Sequence, residues 1–206
     1  KIKDLKKYDG LIWGGSSLNI YNSTIEIRRQ IEFMKECQKN IKKILAICWG
    51  MQVAVTAAGG EVKKCEIGTH RGIAHDIEIN ANGLKHPIYK SKKKKFNTPA
   101  FNFDEVVTMP KNAILLSSNL INKVQGLNFK ADLSDIWGIQ YHPEISYKKM
   151  ISLIHFRKDR LLNKKAFKDR HDIESHIRVI EEENNKSDKN SRMTELKNWL
   201  DYLNAN

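Results

Sequence analysis

The sequence predicts an α/β fold, a sheet lying between two helical layers, and three observations carry that expectation. Strand-like and helix-like runs alternate through residues 10–58 of the 206-residue chain. Short strand-like runs with turn signals between them fill residues 61–129, and one clear late strand spans residues 135–141. After Pro143 the composition shifts to helix formers and charge. Strand–helix alternation is the pattern of a parallel sheet covered on both faces.

Taken in order, Gly10-Leu11-Ile12-Trp13-Gly14-Gly15 reads as a buried strand running into a glycine turn. Ser23 and Glu26 have capping-box spacing. Behind them Ile27, Ile31 and Met34 recur at helical intervals as far as Asn40. Residues 41–47 are the next strand, and residues 51–58 a helix stopped by Gly59-Gly60. Short strands follow at residues 61–79, 105–109, 113–117 and 123–129. Residues 147–162 and 172–183 read as amphipathic helices, with a polar loop at 184–191. A last helix, 194–203, carries the stripe Leu196, Trp199, Leu200 and Leu203, expected to pack on the body of the chain. The division expected is a body of residues 1–146 and a helical extension of residues 147–206.

The formal net charge is +12, which invites a nucleic-acid reading. The lysines are scattered, however. The one dense run, Lys90-Ser91-Lys92-Lys93-Lys94-Lys95, has no interleaved aromatic residue and reads as a solvated loop. No nucleic-acid partner is expected. The three cysteines, Cys37, Cys48 and Cys65, form no even framework and match no zinc spacing. A reduced, cytoplasmic protein is the expectation, with Cys37 and Cys65 structural. No stretch is apolar and long enough to span a membrane, and none reads as a signal peptide. His70 and His75 lack a third ligand, so neither metal nor cofactor is expected. Trp137 and Tyr141 read as core.

The chemistry concentrates in three places. Ile44-Leu45-Ala46-Ile47-Cys48-Trp49-Gly50-Met51-Gln52 is an apolar strand ending in a cysteine, with small residues two before and two after and a helix directly behind. That is the layout of a nucleophile elbow, whose strained turn tolerates little bulk. A thiol at a helix N-terminus also feels the positive end of the macrodipole. The second place is Gly138-Ile139-Gln140-Tyr141-His142-Pro143-Glu144, where a strand delivers a histidine and a carboxylate follows two residues later. A cysteine nucleophile needs such a base, and the base needs an orienting acceptor. The third is Trp13-Gly14-Gly15-Ser16-Ser17, a turn whose backbone could supply N–H donors to an oxyanion, alongside the amide of Trp49.

Together these clusters resemble the class I (triad-type) glutamine amidotransferases, over most of residues 8–144. The resemblance implies a flavodoxin-like three-layer αβα fold, with Cys48 as nucleophile, His142 as general base then acid, and Glu144 as orienter. Gly14, Gly15 and Trp49 match the oxyanion donors, and Gln52 the contact to bound glutamine. The ending Thr194-Glu195-Leu196-Lys197-Asn198-Trp199-Leu200 is similar to a stand-alone bacterial branch related to the glutaminase part of GMP synthase. The implied reaction is hydrolysis of the glutamine γ-carboxamide through a cysteine thioester, releasing ammonia. No phosphate loop accompanies it, so an acceptor-activating synthetase would be a separate chain.

The chain departs from the family pattern at three points. Ala46 stands where glycine is usual. Asn102 and Phe103 stand where many relatives have histidine then glycine, in a loop that holds the substrate head group. Only about ten residues precede the first strand, where relatives have a further strand and helix, so an N-terminally incomplete domain is expected. Two alternatives stay open: hydrolysis of a γ-glutamylated amine other than glutamine, with Asn102 and Phe103 as pocket adaptations, and a non-catalytic regulatory subunit of the same fold.

Overall fold

The computed structural model describes residues 2–205. After a 3-10 turn at Ile2–Lys7 come β1 (Leu11–Trp13), α1 (Ile25–Asn40), β2 (Lys43–Ile47) and α2 (Trp49–Ala57). The middle of the chain holds β3 (Glu61–Lys64), β4 (His70–Arg71), β5 (Ala74–Ile79) and the short α3 (Ala81–Lys85). It continues through β6 (Lys95–Thr98), β7 (Phe101–Asn102), β8 (Asp104–Thr108), β9 (Ile114–Ser118), β10 (Gly126–Ala131) and β11 (Ser134–Ile139). The remaining helices are α4 (Tyr147–Phe156), α5 (Lys158–Asn163), α6 (Arg170–Lys186), α7 (Lys189–Arg192) and α8 (Thr194–Asn204).

Seven strands make one sheet in the order β1-β2-β11-β10-β9-β5-β6. The sheet is mixed. β1, β2 and β11 are parallel, whereas the pairings beyond β11 are antiparallel. The parallel sheet expected from the alternation therefore holds only where the candidate site lies. Connection length explains the difference. Helix α1 is a crossover long enough to bring β2 back parallel to β1, but β10 and β11 are joined only by Asp132 and Leu133, with Asp132 at φ 50°. A connection that short can join only antiparallel neighbours.

Alternation along β2 divides the core. Ile44 and Ala46 face Met34 of α1 and Val53 of α2. Leu45 and Ile47 face the other way, toward Ile88, Tyr89 and Trp199. The sheet thus has a helical layer on each face, because successive strand side chains point to opposite sides. A third cluster, with Ile73, Tyr147, Ile154, Phe167, Ile177 and Ile180, holds the later helices together. Trp199 is fully buried, and truncating it to alanine costs about 3–5 kcal/mol by analogy with other core aromatics.

Several local expectations shift. The cap of α1 is Thr24, whose hydroxyl accepts from the Ile27 N–H; Ser23 instead takes a left-handed conformation closing the preceding turn. β1 is an edge strand, with Ile12 47% exposed rather than buried. The helix expected over residues 147–162 breaks at Arg157. Residues 184–191 are largely helical, because α6 runs to Lys186 and α7 begins at Lys189. Within the lysine run, Lys92 is not solvated: its ammonium lies 2.9 Å from Glu195, and both side chains are buried. Of the α8 stripe, Leu196, Trp199 and Leu203 pack inward and Leu200 is exposed. Among the described residues no helix is long and apolar enough to cross a membrane.

Candidate active site

Cys48 stands between β2 and α2, and its backbone is unusual. At φ 53° and ψ −107° it occupies a region that residues with a β-carbon rarely adopt. Surrounding contacts hold it there. Its N–H donates to the Ile139 carbonyl at 2.7 Å, and the Gly50 N–H donates to the Gly14 carbonyl at 3.1 Å. A β-carbon on Gly50 would run into the Trp13 carbonyl, so only glycine lets α2 start this close to β1. Ala46 is fully buried, in register between Trp13 on one side and Gly138 on the other. Gly50 is thus required by the close approach of β1, and Ala46 sits in the core cluster with Met34 and Val53.

The last residues of β11 lead to His142, whose N–H donates to the Pro99 carbonyl at 2.8 Å. The ring Nδ1 lies 2.6 Å from Glu144 Oε1. Burial alone drives this imidazole toward its neutral form. The Cys48 sulfur and the Glu144 carboxylate outweigh burial through charge and hydrogen bonding, and raise the histidine to about 10. Gly15 fills the gap between the two side chains. A β-carbon there would lie 2.7 Å from His142 Cε1 and 3.8 Å from Cys48 Cβ. The imidazole is therefore held as a cation, with one nitrogen on a carboxylate and the other edge toward the thiol. Such a group can pass a proton between sulfur and a departing amine.

Two backbone N–H groups near Cys48 are unpaired. The Trp49 N–H is the first of α2 and has no intrahelical partner. Among the described residues neither it nor the Gly15 N–H has an acceptor. Unpaired N–H groups of this kind are what an oxyanion needs. Gly14 contributes its carbonyl to Gly50.

A cleft opens over Cys48, and Gln52, Asn102 and Phe103 all line it, as does Trp49. Gln52 Nε2 donates to Gln140 Oε1 at 3.3 Å. Asn102 Nδ2 is committed to the scaffold, donating at 3.0 Å to both the Asp104 carbonyl and Asn122 Oδ1, whereas its Oδ1 is buried without a hydrogen-bond partner. Phe103 packs toward Phe101, at 5.9 Å between ring centroids. A second basin lies on the His142 side, lined by residues that include Glu144, Ile145, Met150 and Leu153. Phe101 and Arg157 line both.

Several residues here were not singled out from the sequence. Asp104, Arg157, Arg160 and Lys164 line the Cys48 cleft. Arg192 Nη1 donates to the carbonyls of Pro143 and Ile145, the latter at 3.1 Å, on either side of Glu144. Basic residues on an amphipathic helix ordinarily read as a solvated face, so nothing local marked them. His70 is buried, its Nε2 2.8 Å from Gln125 Nε2, and burial pushes it down to about 4. Cys37 is buried too, which pushes its thiol up to about 11, and Cys65 contacts the Ile121 carbonyl.

The family model described as "Glutamine amidotransferase class-I" matches residues 1–158. The chain is 31% identical to a γ-glutamyl-L-1-hydroxyisopropylamide hydrolase of a Pseudomonas species, across 97% of this chain and 74% of that protein. It is 29% identical to γ-glutamyl peptidase 4 of Arabidopsis thaliana, across 74% of this chain and 60% of that one. It is 36% identical to a subunit of the glutamine-hydrolysing GMP synthase of Methanosphaera stadtmanae, across 50% of this chain and 52% of that one. In three dimensions it superposes on a glutamine amidotransferase from Thermotoga maritima with a TM-score of 0.73, at 19% identity, covering 98% of this chain and 80% of that one.

Proposed function

The chain belongs to the class I glutamine amidotransferase family, and within it we propose a hydrolase of γ-glutamyl amides that works through a thioester on Cys48. The observation that carries this is Cys48 in its elbow beside His142, whose Nδ1 is 2.6 Å from Glu144. Cys48 sulfur adds to the γ-carbonyl carbon. The resulting oxyanion accepts from the Trp49 and Gly15 N–H groups. His142 protonates the amide nitrogen, the carbon–nitrogen bond breaks, and the amine departs toward the second basin. Water, deprotonated by the same imidazole, then splits the thioester to glutamate, and the sulfur leaves as thiolate beside the restored imidazolium. Gln52, Asn102 and Phe103 would border the γ-glutamyl group.

An organic amine is favoured as the leaving group over ammonia. The relative matched across 97% of the chain is named for a γ-glutamyl amide of an amino alcohol. Ile145, Met150 and Leu153 give the basin beyond His142 an apolar side that ammonia does not need. Glutamine remains the second reading, supported by the relatives from glutamine-hydrolysing GMP synthases; the ammonia would then pass to a separate synthetase chain. We further place residues 1–146 as the catalytic body and residues 147–206 as a helical extension on it, in a cytoplasmic protein.

The test is turnover of glutamine against γ-glutamyl ethylamide, followed as release of glutamate. Glutamate from either, abolished in Cys48→Ala, is the expected result. Folded protein that releases none from either, and takes no label on Cys48 from a γ-glutamyl electrophile, supports a non-catalytic, regulatory role instead.

A further inference from the structure

The cleft over Cys48 has an uneven charge. Arg157, Arg160 and Lys164 line it, and among the described residues Asp104 is the one carboxylate that does. Each of these but one has a partner. Asp104 accepts from Asn19 Nδ2 at 2.8 Å and from the Tyr21 hydroxyl at 3.0 Å. Burial raises its carboxyl, and those donors, with Lys164 and Lys64, pull it back. Arg160 Nη2 donates to the Ser17 carbonyl at 3.3 Å. The Lys164 ammonium stands 5.6 Å from the centre of the Phe103 ring. Among the described residues the Arg157 guanidinium has no hydrogen bond or ion pair.

The placement of Arg157 follows from the helix break. Its backbone, at φ −103° and ψ 8°, ends α4 and caps α5, so its side chain leaves the helix face where the two basins meet. On the His142 side, among the described residues, the only other charged or titratable groups lining the basin are His142 and Glu144, and those two are committed to each other.

A γ-glutamyl head group carries one ammonium and one carboxylate. Asp104 answers the first, and Arg160 with Lys164 the second. One cation is left over, half-buried and unpaired, beside the basin into which the amine departs. A bound carboxylate would give this free guanidinium a charge-assisted, bidentate partner. We propose that Arg157 receives a carboxylate on the leaving amine, so that the preferred substrate is a γ-glutamyl amino acid. This rests on the γ-glutamyl amide hydrolase assignment above. The bond broken joins the γ-carbonyl carbon to the α-nitrogen of the second amino acid. His142 supplies the proton to that nitrogen, and water completes the release of glutamate.

The test is kcat/KM of the full chain for γ-glutamylglycine, γ-glutamyl ethylamide and glutamine. γ-Glutamylglycine is expected to exceed γ-glutamyl ethylamide by roughly ten- to a hundred-fold, the range of a charge-assisted hydrogen bond. Arg157→Gln should collapse that ratio and Arg157→Lys keep part of it. Arg157→Glu should shift preference toward γ-glutamyl 2-aminoethylamide, with far-ultraviolet circular dichroism reporting the fold of each variant. Cys48-dependent turnover of γ-glutamyl ethylamide without a preference for γ-glutamylglycine, or with a ratio unmoved by Arg157→Gln, overturns the role of Arg157 and leaves the hydrolase assignment standing. Absence of Cys48-dependent turnover of all three amides overturns both.

Discussion

The Glu195 carboxylate, on the last helix of the chain, accepts the hydroxyl of Tyr141 at 2.8 Å, one residue before His142. The same carboxylate takes the Lys92 ammonium at 2.9 Å, and Tyr141 in turn reaches Tyr89 at 3.0 Å. Helix α8 is thus bonded, through fully buried groups, to the strand end that presents His142. Removing one partner of a buried pair leaves an uncompensated charge, whereas replacing both is far milder. Glu195→Ala should therefore lower stability by about 3–5 kcal/mol, and Lys92→Met combined with Glu195→Leu by clearly less. Denaturant unfolding of the two variants measures the difference; equal losses would mean that the pair is not what holds α8.

Arg192 bears on the same loop from α7. It satisfies the carbonyls of Pro143 and Ile145, which flank Glu144. Arg192→Ala should reduce kcat by about ten-fold with a smaller change in KM, because the loss is one of positioning rather than of substrate contact. Arg192→Lys should recover part of it. A change confined to KM would contradict this.

Gly15→Ala introduces a β-carbon 2.7 Å from His142 Cε1. The ring must turn away from Cys48 or from Glu144. We expect roughly a hundred-fold loss of kcat with the melting temperature little changed, since the site and not the core is displaced.

His142 should titrate near 10 in the free protein, against an ordinary value of 6.5. The raised value means that the folded chain binds this proton more tightly than the unfolded chain. The associated stabilisation is full below about pH 6.5 and is lost as pH rises through about 10. With Cys48→Ala the burial of the ring is less opposed, so the His142 titration should move down. Nuclear magnetic resonance of the imidazole Cε1–H through a pH series in both proteins reads this.

The elbow was legible because its demands are local. Ala46 and Gly50 sit two residues either side of Cys48, and the contacts that surround them come from strands within the same α/β alternation. His142 and Glu144 were legible for the same reason, being two residues apart on a strand end. The mixed character of the sheet was not, since pairing order depends on connection length and long-range register. Arg157 and Glu195 were hidden for a different reason. Each is a charged residue in a segment that reads as an ordinary amphipathic helix, and only the packing of α4–α8 on the body brings Arg157 to the cleft and buries Glu195. Lys92 was misread as solvated because its partner lies 103 positions away.

Intact-protein mass spectrometry of the chain quenched during turnover of a γ-glutamyl amide bears on all of this at once. One γ-glutamyl group should be found attached, and proteolysis should map it to Cys48, with no adduct and no turnover in Cys48→Ala. Turnover that persists in Cys48→Ala, or an adduct on another residue, would show that the elbow is not the catalytic centre.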